Sequence, residues 1–183
     1  MTALPPLLLR PAHERDLNCL AVLAMQVFLD TYARTGIRQS IADEALRSFS
    51  VDAFRMLLAR DDTVIVLAEL RYHLVGFAQV TVGRGQELVR ADKPAELDRL
   101  YVQEPFTHRS IGSRLLQLAE EQARRHGATA LWLTPWVGND RARQFYRKHG
   151  YVDVGGTFFR MDDERHETRV VVKPIADEPA APC

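Results

Sequence analysis

Residues 96–116 read ELDRLYVQEPFTHRSIGSRLL, and their order of residue types decides the fold. Leu97 to Val102 is an extended segment that Glu104-Pro105 stops, because proline removes a ladder donor. A short polar, basic loop follows, Thr107-His108-Arg109-Ser110-Ile111-Gly112, and a helix opens near Ile111. A loop that runs into a helix N-terminus presents backbone N–H groups without intrahelical partners, where the dipole favours negative charge. Arg109 adds a full positive charge. The backbone of His108 to Ser113 is thus a candidate site for a phosphate or pyrophosphate. Read alone, the same residues also suit a plain loop and helix start with no ligand.

Outward from this stretch, the helix carries Ile111, Leu115, Leu118, Ala119 and Ala123 on one face and ends at Gly127, a usual residue just past a helix. Ala130 to Thr134 is a strand stopped by Pro135. Strand, helix and strand make a parallel pair with a right-handed crossover. Upstream, Leu7 to Arg10 reads as a strand, and Leu17, Leu20, Ala21, Ala24 and Phe28 repeat at helical spacing. Ser40 and Asp43 suggest a capping box for a helix over Ile41–Arg47, and Ser50 can cap the next. Thr63–Glu69 and Leu74–Val82 form a hairpin about Tyr72-His73. Asn139–His149 is a short helix, and Tyr151–Arg160 and Thr168–Lys173 are strands joined by an acidic turn. The order is β-α-α-α-β-β-β-α-β-α-β-β, an α/β (α+β) fold with a mixed central sheet flanked by helices.

The parity of the strand Leu97–Val102 is informative. Leu97, Leu100 and Val102 cannot all face one core in a regular strand, so a β-bulge near Asp98-Arg99 is required to reconcile them. The other reading is a regular strand with Arg99 and Tyr101 solvated or half-buried.

The 183 residues suit one domain over residues 1–174, with a flexible tail from 175 to 183. The chain is 46% hydrophobic and balances 24 basic against 24 acidic residues, which argues against coating nucleic acid or a membrane surface. Cys19 and Cys183 form no disulfide framework, and His108, His126, His149 and His166 lack metal-ligand spacing. No metal is expected. The short apolar run at the N-terminus lacks the features of a signal peptide, and the expected location is cytoplasmic. An exposed final strand can pair with a second copy as a homodimer.

The stretch above, followed by LWLTPWVGND (131–140) and NDRARQFYRKHGY (139–151), resembles the two central motifs of the GNAT superfamily of acyl-CoA-dependent N-acetyltransferases. The element order is similar to that fold too. LYVQEPF and the ending VGGTFFRMDD look most like its polyamine-type branch. The resemblance implies acetyl-CoA as co-substrate and direct acetyl transfer to a primary amine of a small molecule, such as a polyamine. The family loop usually carries glycine where this chain has Ser110.

What the resemblance implies for the site follows residue by residue. The backbone of His108, Arg109, Ser110, Ile111, Gly112 and Ser113 would hold the CoA pyrophosphate. Leu100, Tyr101 and Val102 would line the pantetheine, with the Val102 N–H donating to the acyl oxygen. Asn139, by its type a helix N-cap, would also bind pantetheine. Lys148 and Arg141 would meet phosphate groups of CoA, Lys148 ahead of Arg141 because it fits the motif; read alone, charges on a short exposed helix are simply solvated. Tyr146 would be the proton donor that protonates the developing thiolate, a phenol having a pKa near ~10 and a thiol one near ~8.5. Without the motif, a Phe-Tyr pair on a helix reads as core. Glu96 is the candidate general base and Asp98 the second choice, although a carboxylate at a strand start is also plainly compatible with simple exposure. Two further readings remain: a non-catalytic acyl-CoA-binding or regulatory module with a weakened loop, and acetylation of a protein N-terminus or lysine. A Rossmann-type site is disfavoured, for want of a strand-G-x-G-x-x-G-helix unit.

Overall fold

Among the described residues, seven strands form one sheet in the order β1-β2-β3-β4-β5-β7-β6. The computed structural model describes residues 6–161 and 164–175. The strands are β1 (Leu7–Pro11), β2 (Thr63–Leu70), β3 (His73–Val82), β4 (Pro94–Val102), β5 (Ala130–Leu133), β6 (Val152–Met161) and β7 (Glu164–Pro174). The helices are α1 (Leu17–Tyr32), α2 (Gln39–Ser48), α3 (Val51–Leu58), α4 (Ile111–Arg125) and α5 (Asp140–Lys148). This is the expected element order. All neighbouring strands run antiparallel except β4 and β5, the pair that α4 connects.

Helices cover both faces, which explains why β2 is apolar without alternation. Val66 and Ala68 pack in the core under α4, with Leu115, Leu116 and Ala119. Ile65 and Leu67 point the other way, into the core made with Leu20, Ala24, Phe28 and Phe54 of α1 and α3. Ser50 caps α3 as expected, its hydroxyl accepting from the Ala53 N–H at 3.1 Å. No helix among the described residues is long and apolar enough to cross a membrane.

Four expectations are corrected. Helix α2 begins at Gln39, not Ile41, and its N-cap Arg38 makes no side-chain cap bond. Gln39 instead donates to Asp43 at 2.8 Å, so the acid serves a side chain within the helix rather than a capping box. The β2–β3 turn is Arg71-Tyr72, both left-handed at φ 49° and 67°, the geometry of a two-residue hairpin. The final strand β7 lies inside the sheet, and β6 forms the edge, with Val152 and Phe158 exposed. Ile175 belongs to the packed domain and not to a tail: it is 3% exposed, and its N–H donates to the Thr129 carbonyl at 2.9 Å. The rest of the expected tail, 176–183, lies outside the described residues.

Candidate active site

The site grows from an opening in the sheet. β4 and β5 pair only through Pro94–Glu96 and Ala130–Trp132. Beyond that point β4 stays with β3 as far as Val102, opposite Gly76. The chain after β5 follows β7 instead, through Arg169 N–H to the Pro135 carbonyl, the Trp136–Thr168 bridge and Val137 N–H to the Glu167 carbonyl. Val80 pairs with Leu97 and Gln79 with Arg99, which leaves Asp98 as an extra residue. That bulge lets Leu97, Leu100 and Val102 all reach the core under α4 while Tyr101 packs on the opposite core. The Gln103 N–H donates to the Val75 carbonyl on β3. Amides alternate in direction along a strand, so those of Val102 and Leu100 face the opening and that of Tyr101 faces β3.

At one end of the opening lies the anion loop. A 3-10 turn over Glu104–Phe106 leads to His108 and Ser110, both left-handed at φ 60°. Ser110 is the N-cap of α4, and its carbonyl accepts from the Arg114 N–H at 3.0 Å. The amides of Ile111, Gly112 and Ser113 precede that first intrahelical bond and face the loop. The serine thus adopts the backbone that glycine adopts freely, at a cost of roughly 1–2 kcal/mol. Ser110→Gly is therefore expected to stabilise the protein by about 0.5–1 kcal/mol after the extra chain entropy of glycine is offset, read as a raised midpoint in denaturant. Arg109 is exposed, with its guanidinium over the Phe106 ring at 5.5 Å.

Helix α5 docks on this loop. His149 Nδ1 lies 2.8 Å from the Phe145 carbonyl oxygen, which only accepts, so Nδ1 carries a proton. In the neutral ring Nε2 then accepts from the Ser113 hydroxyl at 2.9 Å. Asn139 caps the helix, its Oδ1 accepting from Ala142 N–H at 3.1 Å, which leaves its amide nitrogen for a ligand. Asn139 lines a cleft of about 580 Å³ with Val27, Thr31, Val102 and Arg141. Arg141 is engaged with Glu104 through two bonds, at 2.8 and 2.9 Å, and is no free phosphate partner. Lys148 is exposed on the last turn. Tyr146 is 7% exposed, edge-on to Phe145 and Tyr151. Burial raises its hydroxyl pKa far above the ordinary range, with Tyr101 and Tyr32 adding to the effect.

On the opposite side of β4 a cavity of about 240 Å³ is lined by Tyr32, Glu44, Glu96, Asp98, Arg99 and Trp136 among others. The last hairpin contributes Phe159, His166 and Thr168 to its wall. The early chain contributes Phe28 and Tyr32 of α1, Glu44 of α2 and Phe49. Arg84 Nη1 bonds Glu96 at 3.0 Å and Asp98 at 3.1 Å, and Thr81 donates to Asp98 at 2.7 Å. Burial, then the Asp98 charge, pushes Glu96 above the usual carboxylate range, against the pull of Arg84. Burial pushes Asp98 up as well.

Glu96 and Tyr101 line the cavity, Val102 and Asn139 line the cleft, and His108–Ser113 follows the end of β4, while Tyr146 is buried in the core under α4. Arg84, Arg99, Trp136 and Thr168 escaped the sequence reading. Arg84 sits in a polar loop with no periodicity. Arg99 reads as a strand residue whose direction depends on the bulge. No group of three or more His, Cys, Asp or Glu among the described residues is placed to hold a metal ion.

Comparison with known proteins places this geometry. The model of the acetyltransferase (GNAT) family matches residues 30–151. The chain is 23% identical over 162 residues to an uncharacterized N-acetyltransferase in the pepI 3' region of Lactobacillus delbrueckii subsp. lactis, covering 88% of this chain and 94% of that protein. The PaiA N-acetyltransferase of Thermoplasma acidophilum, solved with coenzyme A, superposes with a TM-score of 0.71 at 23% identity, covering 92% of this chain and 99% of that one. The yncA putative acetyltransferase of Salmonella typhimurium, solved with acetyl-CoA, gives 0.66 at 18% identity over 97% and 98% of the two chains. The matched region contains β4, the anion loop, α4 and α5 together, and by that match the chain belongs to the acetyltransferase (GNAT) family.

Proposed function

We propose that the protein transfers the acetyl group of acetyl-CoA directly to the primary amine of a small molecule. The observation that carries this reading is the parted β4–β5 pair, with an anion loop at its end and a carboxylate-lined cavity on its far side. The residues fit CoA. The amides of Ile111, Gly112 and Ser113 and the charge of Arg109 suit the pyrophosphate, and Lys148 is available to a further phosphate. Asn139 and the amides of Leu100 and Val102 suit the pantetheine. Acetyl-CoA supplies an activated acetyl thioester.

The chain's own groups divide the remaining work. The Val102 N–H donates to the acyl oxygen as negative charge builds there. Glu96 accepts the proton that the amine loses on acylation, directly or through a water. The Tyr146 hydroxyl donates to the departing sulfur. Its phenol holds its proton more tightly than a thiol of pKa near ~8.5. Complete transfer from Tyr146 alone therefore runs uphill, which corrects its simple role as proton donor. Its part is a hydrogen bond that stabilises the thiolate, and the proton released by the amine restores the balance.

A steady-state assay of thiol release, with acetyl-CoA and a broad amine panel, tests the proposal. Amine-dependent release supports it; CoA binding with no release on any amine would identify a non-catalytic CoA-binding module. Because Glu96 must be ionised to act, kcat/KM is expected to rise with pH through a limb above the ordinary glutamate pKa near ~4.3. Glu96→Gln should abolish that limb. Arg84→Ala, which removes the group that lowers the Glu96 pKa, should move the limb to higher pH.

A further inference from the structure

The cavity beside Glu96 holds a guanidinium that acts on Glu96 and Asp98 only at a distance, without a direct carboxylate contact. Arg99 donates to the side-chain oxygen of Gln79, a neutral amide that is 2% exposed. Its guanidinium stands over the rings of Phe49 and Phe54, at 5.1 and 5.8 Å. Among the described residues it forms no ion pair. The acids that share the cavity are already engaged. Glu96 and Asp98 are held by Arg84, and Glu44 by Arg47 and the Ser48 hydroxyl. Three carboxylates and one guanidinium thus line the cavity, and Arg84 and Arg47 offset the acids from outside it.

Desolvating a guanidinium is costly, and an apolar side chain would fill the space between two phenyl rings at lower cost. A planar fork with most of its N–H groups unused is suited to an incoming carboxylate, which it can grip through two parallel bonds. The Thr168 hydroxyl gives a second, independent sign of a polar ligand. The residue is 4% exposed and lines the same cavity, and its oxygen has no hydrogen-bond partner. A polyamine, which carries no anion, would leave the Arg99 guanidinium unanswered. A molecule with one ammonium and one carboxylate answers both the acids and Arg99.

We infer that the acceptor is an amino-carboxylate, with its carboxylate on Arg99 and its amine directed to Glu96. Its body lies against the aromatic wall of Tyr101, Trp136 and Phe159. The volume of about 240 Å³ suits a molecule the size of a single amino acid. This rests on the acetyl-transfer reading for its chemistry, but the carboxylate site can be tested apart from it.

The experiment compares kcat/KM for L-leucine and L-phenylalanine, for their carboxamides and for the corresponding amines, with spermidine as the polyamine probe. The free carboxylates are expected to exceed the carboxamides by roughly 30-fold or more, as expected for a desolvated charge pair. In Arg99→Gln that ratio should fall towards one, and Arg99→Lys should restore part of it. Calorimetric CoA affinity close to that of the unaltered protein would show that the variants are folded. Equal turnover of carboxylate and carboxamide, a preference for spermidine, or an unchanged ratio in Arg99→Gln would overturn the inference. If no amine is acetylated, binding of N-acetyl-L-leucine and its carboxamide in the presence of CoA decides the matter. Carboxylate-dependent binding that is lost in Arg99→Gln would uphold the site while the transfer reading fails, and its absence would overturn both.

Discussion

Tyr146→Phe is expected to lower kcat by about 10²–10³ while leaving the CoA dissociation constant within about twofold, in line with the loss of one positioned acid or donor. The ring stays. It is 7% exposed and makes edge contacts to Phe145 and Tyr151 that need no hydroxyl. The change therefore removes only a donor beside the opening, and the helix that docks on the anion loop keeps its packing. Rapid-quench and steady-state kinetics on one acceptor would separate the acetyl-transfer step from product release. An unaltered kcat would remove Tyr146 from the chemistry and leave it as core.

Gly76→Ala is expected to be the most damaging small substitution, destabilising by about 2–3 kcal/mol. A Cβ at this position would stand 2.7 Å from the Tyr101 carbonyl oxygen and 3.2 Å from both Leu115 Cδ1 and Val102 Cγ2. Two of these neighbours are packed side chains and the other is backbone, so relief requires β4 to move away from β3. That displacement falls on Val102, whose amide faces the opening, and on Tyr101 beside it. Chemical denaturation should show the loss of stability, and activity per folded molecule should fall with it. Retained activity with normal stability would mean that β4 is not held in place by this contact.

The legible part of the fold was the part governed by local chemistry. The apolar run of β2, the amphipathic face of α4 and the caps at Ser50 and Asn139 each depend on neighbours within a few residues. The bulge was legible for a different reason. Leu97, Leu100 and Val102 break strand parity, and only an extra residue lets all three reach one core. What escaped was set by distant contacts. Arg84 reaches Glu96 and Asp98 from a loop without pattern. The position of β7 between β5 and β6 follows from sheet pairing, which no periodicity within β7 encodes. Ser110 lay between these cases. Its residue type argues against a left-handed backbone, and the loop imposes one at φ 60°.

The narrow beginning of the opening, where Glu96 still pairs with Trp132, has a further consequence. An unpaired strand margin on a protein surface is a hazard, because any extended chain can add to it and lead to aggregation. Here the unpaired amides of Leu100 and Val102 lie inside a wedge whose walls converge at one end. Because β4 is still closed against β5 at Pro94–Glu96, an added strand cannot run the length of β4, and the parted edge is shielded from the open-ended pairing that an outer edge invites.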